Sequence, residues 1–426
     1  MDLKSKTLMK SNILLLQGPM GPFFKRLALD LEDLGHSVYK INFNTGDQFY
    51  FRGRNTEEYR GAIEEWPEYL QEYLVKRNIK QIILFGNERK YHRLAQDVAT
   101  LVSAQVFVFE EGYLRPHYIT LERDGVNGRS SVPRNPEAYR DLEHRTSEKA
   151  LSIPSPFRRA GWYAAVYFSA AWLGRASYPH YQHHRPFNPY HEAAIWLRSA
   201  FRKNYYQIKE RGILEKLISS HSKQYFLVPL QVHNDAQIKT WSNMPSSAAF
   251  IRRVIYSFSK HAPADTILVL KHHPLDRGYC DYTGIIDKLA LKSGCKERVL
   301  YVHDLHLPTL LDHARGTIQI NSTVGISSIL HGTPVKTSGS ALYDIEGLSF
   351  QGKLEDFWID QYKIDKVLNQ KFRQYLIQTN QINGNFYQRI AAYNNHSGID
   401  LKQFKKILNL SSENPTLRVG YPTDEL

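Results

Sequence analysis

Four clusters of polar residues follow strand-like apolar runs in the sequence, and each could take part in chemistry. The first cluster, KHHP, places Lys271, His272, His273 and Pro274 after the run TILVL. Ligands of open α/β sheets bind at the carboxyl ends of the strands, where lysine and histidine can offset the charge of a phosphate. His-Pro pairs are common in loops, but the neighbouring lysine and strand favour a phosphate site.

The second cluster, INSTVG, ends a strand at Asn321 and begins a helix with Ser322, Thr323 and Gly325. Hydroxyl groups and free backbone N–H groups at the start of a helix favour an anion. Capping of the helix by Ser322 or Thr323 is the alternative, and it needs no ligand. Because the KHHP segment follows a neighbouring strand, we interpret the two clusters together as a phosphate site.

The third cluster, PLQVHND, carries Gln231, His233, Asn234 and Asp235 away from a strand. A carboxylate held among amides and an imidazole can act as a general base or a nucleophile. An Asx turn is the structural alternative for Asn234 and Asp235.

The fourth cluster, EEGYLR, follows the last strand of the first half with Glu110, Glu111, Tyr113 and Arg115. Glutamates beside an arginine usually form a solvated salt bridge. At the end of a strand, however, they would face a cleft.

Several motifs of nucleotide and metal sites are missing from the sequence. It contains no D-x-D triplet, no G-x-x-x-x-G-K-[ST] loop and no G-x-G-x-x-G after the first strand. The run of His180, His183 and His184 has no cysteine or carboxylate partner at a known zinc spacing. We therefore expect no metal ion in the site.

Strand-like and helix-like patterns alternate in both halves of the chain. The first half contains NILLLQ, SVYKINF, QIILFG and AQVFVFEEG, and the second contains YFLVPLQ, TILVLKHHP, RVLYVHD, GTIQINS and TPVKTSG. Apolar residues at helical spacing, as in 23–34 and 246–261, predict helices between these strands. The alternation predicts two Rossmann-like domains with parallel sheets, and a cleft between domains is then the default binding site.

The composition indicates a folded protein with an anionic partner. Fifty-five Lys and Arg residues against 42 Asp and Glu give a net charge of +13 over 426 residues. This balance fits nucleic acid, anionic lipid or a charged substrate, but no long basic run or finger-type spacing supports nucleic acid. Only Cys280 and Cys295 are present, so we expect a reducing compartment. The apolar runs 13–16 and 161–174 are too short for a signal peptide and a membrane span, so we expect a soluble or peripheral protein.

A region rich in Arg, His, Pro and Tyr, from about 127 to 212, separates the two halves. Basic residues beside an aromatic surface suit binding to an anionic leaflet, and a core helix with a polar rim is the alternative that stays open. The basic residues are Arg158, Arg159, Arg175, Arg198, Arg202 and Lys203, and the aromatic ones are Trp162, Tyr163, Tyr167, Phe168 and Trp172.

Taken in order, these segments resemble the capsule polysaccharide biosynthesis family, in its single-module KpsS/LipB type of retaining β-Kdo transferase. The resemblance runs through LLLQGPMGPFF, KINFNTGD, EEGYLRPHYITLE, VPLQVHNDAQI, KHHP and NSTVGISSILHGTPVK. It implies an α/β, GT-B-like fold with two Rossmann-like domains facing a central cleft and C-terminal helices. It also implies transfer of β-Kdo from CMP-Kdo to a (lyso)phosphatidylglycerol lipid, which starts the poly-Kdo linker of capsular polysaccharide. Ser327 and Ser328 depart from two-module relatives, which often have a glutamate there.

The resemblance also implies roles for residues of this chain. Asp235 would be the nucleophile or the ion-pair stabiliser, with Glu111 and His273 as further catalytic residues, and neither a metal nor another cofactor would be needed. The donor-binding residues would be Lys271, His272, His273, Pro274, Asn321, Ser322, Thr323, Gly325, Gln231 and Asn234. The acceptor-binding residues would be Gly18, Gly21, Asn44, Glu110, Tyr113 and Arg115.

We expect an N-terminal acceptor domain at 1–212, a nucleotide-sugar domain at 213–350 and C-terminal helices at 351–426 that pack across the domains. The implied location is cytoplasmic and peripheral, at the inner face of the inner membrane. The implied partners are the nucleotide sugar, the anionic phospholipid, the membrane surface and other capsule biosynthesis or export proteins, without nucleic acid. Two alternatives remain: a transferase for another CMP-sugar, similar to sialyltransferases, and a non-catalytic capsule export or scaffold protein.

Overall fold

The structure is a computed structural model that describes residues 10–142, 150–183 and 189–413. It divides into two compact units. The N-terminal unit consists of Met1–Ser131, Thr146–Pro189 and Leu376–Leu426, and the C-terminal unit consists of Val132–Arg145 and Tyr190–Tyr375.

A seven-stranded sheet in the order β12-β6-β5-β4-β1-β2-β3 forms the centre of the N-terminal unit. Strands β1 to β5 pair in parallel, whereas β6 and β12 are antiparallel additions at one edge. The strands are β1 (Asn12–Leu15), β2 (Ser37–Asn42), β3 (Thr56–Glu58), β4 (Ile79–Phe85), β5 (Gln105–Glu111), β6 (Tyr118–Arg123) and β12 (Gln381–Asn383). The helices are α1 (Phe23–Asp33), α2 (Thr45–Tyr50), α3 (Trp66–Lys76), α4 (Lys90–Leu101), α5 (Phe157–Leu173) and α15 (Leu401–Glu413).

Apolar residues cover both faces of this sheet, because successive side chains of a strand point to opposite sides. Leu14 of β1 packs in one core cluster with Trp66 of α3. Ile13, next to it in the chain, packs in the other cluster with Phe23 of α1 and Phe404 of α15. Burial on both faces explains why the central strands are nearly continuous apolar runs.

The C-terminal segment completes the N-terminal sheet with a strand as well as with helices. Ile382 of β12 lies opposite Ile119 of β6, and the ring of Phe404 stacks on Phe109 with 6.2 Å between centroids. Three residues, QIN, are too few to show a strand pattern, so helices alone were predicted for 351–426.

A five-stranded, fully parallel sheet in the order β11-β10-β7-β8-β9 forms the centre of the C-terminal unit. All five strands coincide with the five runs predicted for the second half of the sequence. They are β7 (Tyr225–Pro229), β8 (Ile267–Lys271), β9 (Val299–Val302), β10 (Gly316–Gln319) and β11 (Val335–Thr337). The helices are α6 (Pro189–Lys209), α7 (Ile213–His221), α8 (Ala236–Trp241), α9 (Ser247–His261), α10 (Thr283–Lys292), α11 (Leu307–His313), α12 (Val324–Leu330), α13 (Leu354–Phe357) and α14 (Lys366–Thr379), which continues into the other unit.

Parallel sheets with helices in both units confirm the predicted fold class, an α/β chain with two Rossmann-like domains of the GT-B-like kind and C-terminal helices. The limits of the units differ from the predicted domains, because α6 belongs to the C-terminal unit from Tyr190 onward. Its Tyr206 stacks on His303, just beyond β9, with 3.3 Å between ring centroids. The uniform composition of 127–212 carries no signal of this boundary. Within the described ranges, no helix is both long and apolar enough to cross a bilayer.

Candidate functional site

The loops after β7 and β10 meet through the side chain of Gln231. Its amide nitrogen donates to the Asp235 carboxylate and to the Asn321 side-chain oxygen, each at 3.1 Å. Its amide oxygen accepts from the backbone N–H of Asn321 at 3.3 Å. Because β7 and β10 are neighbours in a parallel sheet, their carboxyl ends lie at one edge. The structure therefore joins the second and third sequence clusters.

The loop after β8 joins the same edge through His233 and Asp276. The imidazole Nδ1 of His233 lies 2.6 Å from one Asp276 oxygen, and the backbone N–H of His233 donates to the other at 2.7 Å. Asp276 is fully buried, and it ends a short 3-10 turn, Pro274–Asp276, that follows His273. Asp276 was not among the predicted site residues, although it lies in the KHHPLD segment.

His233, Asp276 and Cys280 place ligand-type atoms within 4.8 Å of one another. Both oxygens of Asp276 already accept hydrogen bonds from His233, which accounts for the grouping without an ion. The expectation of a metal-free site stays a prediction.

Lys271 and His272 are buried beneath this edge. The Lys271 ammonium group donates to the backbone oxygen of His303 at 3.1 Å, and burial lowers the Lys271 pKa. The Nδ1 atom of His272 lies 2.5 Å from the Tyr301 hydroxyl, and burial lowers the His272 pKa to about 3. Both side chains therefore make a hydrogen bond within the unit, and their roles in donor binding stay predictions.

His273 and Pro274 lie at the surface of the same loop. His273 is partly exposed and Pro274 is exposed, and Nδ1 of His273 accepts from the Leu275 backbone N–H at 3.2 Å. Asn234 is also exposed, and Asp235 is partly exposed. Solvent or a ligand can reach these four residues and also His233, which is partly exposed, whereas Lys271 is buried.

The second cluster lies at the start of α12. The Ser322 hydroxyl accepts from the Val324 backbone N–H, two residues further on, at 3.2 Å. Thr323 makes no side-chain cap bond. Gly325 has a packing reason, because a Cβ there would lie 2.1 Å from the ring of buried Tyr343.

In the N-terminal unit, the end of β5 carries a carboxyl group with a shifted pKa. Desolvation raises the Glu110 pKa to about 7, although the Glu111 backbone N–H and the guanidinium groups of Arg115 and Arg89 oppose the rise. Glu111 is partly exposed, and one of its oxygens accepts from the Tyr387 hydroxyl at 3.4 Å. Of the two adjacent glutamates, Glu110 therefore has the pKa of an acid–base group.

The side chains of Tyr113 and Arg115, which follow β5, differ in burial. The Tyr113 side chain is buried, and its hydroxyl donates to the Glu122 carboxyl at 2.7 Å. The role of Tyr113 in acceptor binding stays a prediction. Arg115 is exposed, and its Nε donates to the Gly112 carbonyl at 3.2 Å.

A buried polar network lies at the ends of β1 and β2. Of its members, only Asn44 was among the predicted site residues. The Tyr167 hydroxyl donates to Asp47 at 3.0 Å, and it accepts from the amides of Gln17 and Asn44 at 2.8 Å each. Asn44 also caps α2 by accepting from the Asp47 backbone N–H at 2.9 Å. Asn44 is thus buried in this network, and its role in acceptor binding stays a prediction. The partner Tyr167 lies on α5, too far along the chain for any local pattern to indicate it.

The predicted glycines of the first loop allow close packing. A Cβ on Gly18 would lie 2.8 Å from the Phe24 ring, and a Cβ on Gly21 would lie 2.7 Å from the Tyr163 ring. Gly21 also has a φ of +126°, a region that side chains disfavour. The Gly18 carbonyl accepts from Arg89 at 3.2 Å.

Helix α5, in the aromatic middle region, has both buried and exposed aromatic residues. Tyr167 is buried in the network described above, whereas Trp162 and Leu173 are 67% and 74% exposed. Arg158 and Arg159 are exposed as well. Of the histidine run, His180 is exposed and His183 is partly exposed, while His184 lies outside the described residues.

Two Rossmann-like units with polar clusters at the carboxyl ends of their strands define an α/β protein of the GT-B-like class. Residues 80–387 match the family described as capsule polysaccharide biosynthesis protein, and the chain belongs to that family. The resemblance seen in the sequence motifs is therefore confirmed.

Named relatives agree with this family. The capsule polysaccharide export protein KpsS of Escherichia coli is 42% identical over 375 residues, which cover 88% of this chain and 96% of that protein. The capsule polysaccharide modification protein LipB of Neisseria meningitidis is 39% identical over 386 residues, covering 89% and 92%. A solved structure, the β Kdo 2,7 transferase KpsC of Thermosulfurimonas dismutans, aligns over 93% of this chain and 99% of its own, at 13% identity and with a TM-score of 0.43.

Proposed function

We propose that the protein is a retaining glycosyltransferase that moves β-Kdo from CMP-Kdo to a (lyso)phosphatidylglycerol lipid and so starts the poly-Kdo linker of capsular polysaccharide. The observation that carries this proposal is the junction of Gln231, Asp235 and Asn321 at one sheet edge. It holds a carboxylate where α/β sheets bind ligands. Membership of the capsule polysaccharide biosynthesis family supports the biological role.

In this proposal Asp235 acts at the anomeric carbon of Kdo. A carboxylate there can attack the carbon or stabilise an oxocarbenium-like state, as carboxylates do in glycoside chemistry. The hydrogen bond from Gln231, at 3.1 Å, fixes the direction of one carboxylate oxygen. His233, held by Asp276 at 2.6 Å, supplies a second oriented polar group on the same loop.

The leaving CMP phosphate would be held by groups at the surface of this edge. His273, Asn234 and Thr323 are the candidates whose exposure and position support contact with an anion. Lys271 and His272 would act from beneath, by holding the strand ends in place. Hydrogen-bond donors directed at the phosphate would stabilise developing charge electrostatically, so the proposal includes neither a metal nor another cofactor.

On the acceptor side we propose Glu110 as the general base and Glu111 and Arg115 as orienting groups. The pKa of Glu110, raised by desolvation to about 7, is close to the pH at which a general base works best. A cytoplasmic location at the inner face of the inner membrane, with other capsule proteins as partners, belongs to the same proposal.

The test is transfer of Kdo to a fluorescent phosphatidylglycerol or lysophosphatidylglycerol analogue, with CMP-Kdo generated in the reaction. Asp235→Asn is compared with Asp265→Asn, which changes an exposed carboxylate on another loop of the same unit. We expect product from the wild type and from Asp265→Asn, and none from Asp235→Asn.

Two outcomes would overturn the proposal. Turnover with a different CMP-sugar, but not with CMP-Kdo, would replace the donor. Absence of turnover with every donor, from folded protein, would favour a non-catalytic role in export, the function after which the relative in Escherichia coli is named.

A further inference from the structure

One side of helix α6 is held against the C-terminal unit. Ile195 and Tyr206 are buried, and Tyr206 stacks on the ring of His303. Arg202 donates to the backbone carbonyl of Cys280 at 3.1 Å. These positions recur at spacings that place them along one side of a helix. These contacts therefore fix the orientation of α6 within the C-terminal unit.

The opposite side of α6 is apolar and exposed. Leu197, Phe201 and Ile208 are 74%, 71% and 72% exposed. Their spacings of four and seven residues align them along the helix, over a length of roughly 16 Å. We call these three residues the outer strip. Trp196 and Tyr205, each 47% exposed, lie to either side of it.

Positive charge borders the outer strip, while the acidic side chains of this segment turn inward. Arg198, Lys203 and Lys209 are exposed. Glu192 accepts from the Tyr279 hydroxyl, and buried Glu210 accepts from the His303 backbone N–H at 2.8 Å. A partner that approaches from solvent therefore meets an apolar strip with basic borders.

We propose that the outer strip of α6 docks onto an anionic phospholipid surface. Leu197, Phe201 and Ile208 enter the acyl region, and Arg198, Lys203 and Lys209 lie over the headgroups. An amphipathic helix with this distribution lies in the plane of the membrane interface, and each basic residue near an anionic leaflet adds attraction. Trp196 and Tyr205 combine an apolar ring with a polar group, which suits the level between water and hydrocarbon.

Charge favours lipid over a second copy of this chain. Two facing α6 helices would bring Arg198 and Lys203 of both copies together, with the acids of the segment turned away. Like charges beside a helix–helix seam oppose pairing. Nucleic acid would use the basic residues but would leave the apolar strip exposed to water.

The inference rests on the membrane location given in the proposed function, but not on the donor or the acceptor of the transfer. The test uses full-length protein and vesicles, without CMP-Kdo. Binding is measured by flotation with vesicles of phosphatidylcholine alone and of phosphatidylcholine with phosphatidylglycerol. The variants are the triple change Leu197→Gln, Phe201→Gln and Ile208→Gln, and the double change Arg198→Gln and Lys203→Gln. The control is Leu291→Gln, on α10 of the same unit, which is 72% exposed.

We expect the wild type and the control to float with the phosphatidylglycerol vesicles only. The triple variant should lose binding by about 100-fold or more, and the double variant should lose most of it at low salt. The melting temperature of the triple variant should not change, and its transfer of Kdo to a detergent-dispersed acceptor should equal that of the wild type. Because vesicle binding is measured without CMP-Kdo, a failed transferase assay would leave this test unaffected. Equal flotation of the triple variant would overturn the proposal. So would a wild-type dimer, seen by light scattering, that the triple change converts to a monomer.

Discussion

Asp276 receives two hydrogen bonds from one residue, His233: one from the imidazole Nδ1 at 2.6 Å and one from the backbone N–H at 2.7 Å. The two residues belong to loops that leave neighbouring strands, β7 and β8. The pair therefore fixes both the path of the loop that carries Asp235 and the direction of the His233 ring. Its second ring nitrogen, Nε2, is the one left to face other groups.

Replacing Asp276 should destabilise the C-terminal unit. Asp276→Ala removes the acceptor of both N–H groups of His233 from a buried position, which we expect to lower the free energy of unfolding by about 1–3 kcal/mol. Urea denaturation followed by tryptophan fluorescence measures the change. Asp265→Ala, at an exposed position, should change it by less than about 0.5 kcal/mol. Equal effects of the two variants would contradict the role given to the pair.

Gln231 should affect catalysis more than stability. Gln231→Leu keeps a similar volume but removes the donor that orients Asp235 and the contact with Asn321. We expect kcat to fall by about 10- to 100-fold, because a reacting group that is misplaced by about 1 Å can lose that much rate. Steady-state transfer kinetics measure it, and Gln231→Asn tests whether a shorter amide restores part of the rate. An unchanged kcat with a raised donor KM would mean that Gln231 only binds the donor.

The five strands of the C-terminal unit were predictable because a parallel strand buried on both faces is a continuous apolar run. Strands β3 and β12, with the sequences TEE and QIN, have no such signal. Their pairing is set by the sheet edge that they join. The spacing of apolar residues did not reveal α5 and α6 as helices, because each has an exposed apolar side as well as a buried one.

The loops of the candidate site could be located from the sequence, but not the state of each side chain. The end of a predicted strand shows where a loop begins. The sequence therefore placed Asp235, Asn321 and His273 in loops at the carboxyl ends of strands. Whether a lysine at that end points inward depends on packing between strands, as Lys271 and the His303 carbonyl show. The bond between Gln17 and Tyr167 joins residues 150 positions apart, which no local pattern predicts.

The raised pKa of Glu110 predicts a pH dependence of both rate and stability. Desolvation raises this pKa from 4.5 to about 7, so the native state binds more protons than the unfolded state between these values. Stability linked to Glu110 is therefore present below pH 4.5 and is lost as the pH rises through about 7. Glu110→Gln should be more stable than the wild type at pH 8, by on the order of 1–3 kcal/mol, and nearly equal to it at pH 5.

If Glu110 is the base, activity should rise as the pH increases, whereas the stability linked to Glu110 falls. The ionised form accepts the proton, so kcat/KM of the wild type should rise through pH 7, and Glu110→Gln should lose that limb together with most of the rate. Glu32→Gln, at an exposed position of α1, is the control, and it should keep the pH dependence. The same pH profile in wild type and Glu110→Gln would remove Glu110 from the mechanism.

Two glycines in short helices of the C-terminal unit should respond in opposite ways to the same change. A Cβ on Gly325 in α12 would lie 2.1 Å from the ring of Tyr343, whose hydroxyl donates to the Ser322 carbonyl. Because that ring is buried, Gly325→Ala should cost about 1–3 kcal/mol of stability and should shift the Ser322 loop, raising the donor KM. Gly284 in α10 has nothing within 4 Å of its added Cβ, so Gly284→Ala should stabilise the protein by about 0.5–1 kcal/mol. Thermal unfolding of both variants tests this contrast, and a Gly325→Ala protein as stable as Gly284→Ala would mean that Tyr343 can move aside.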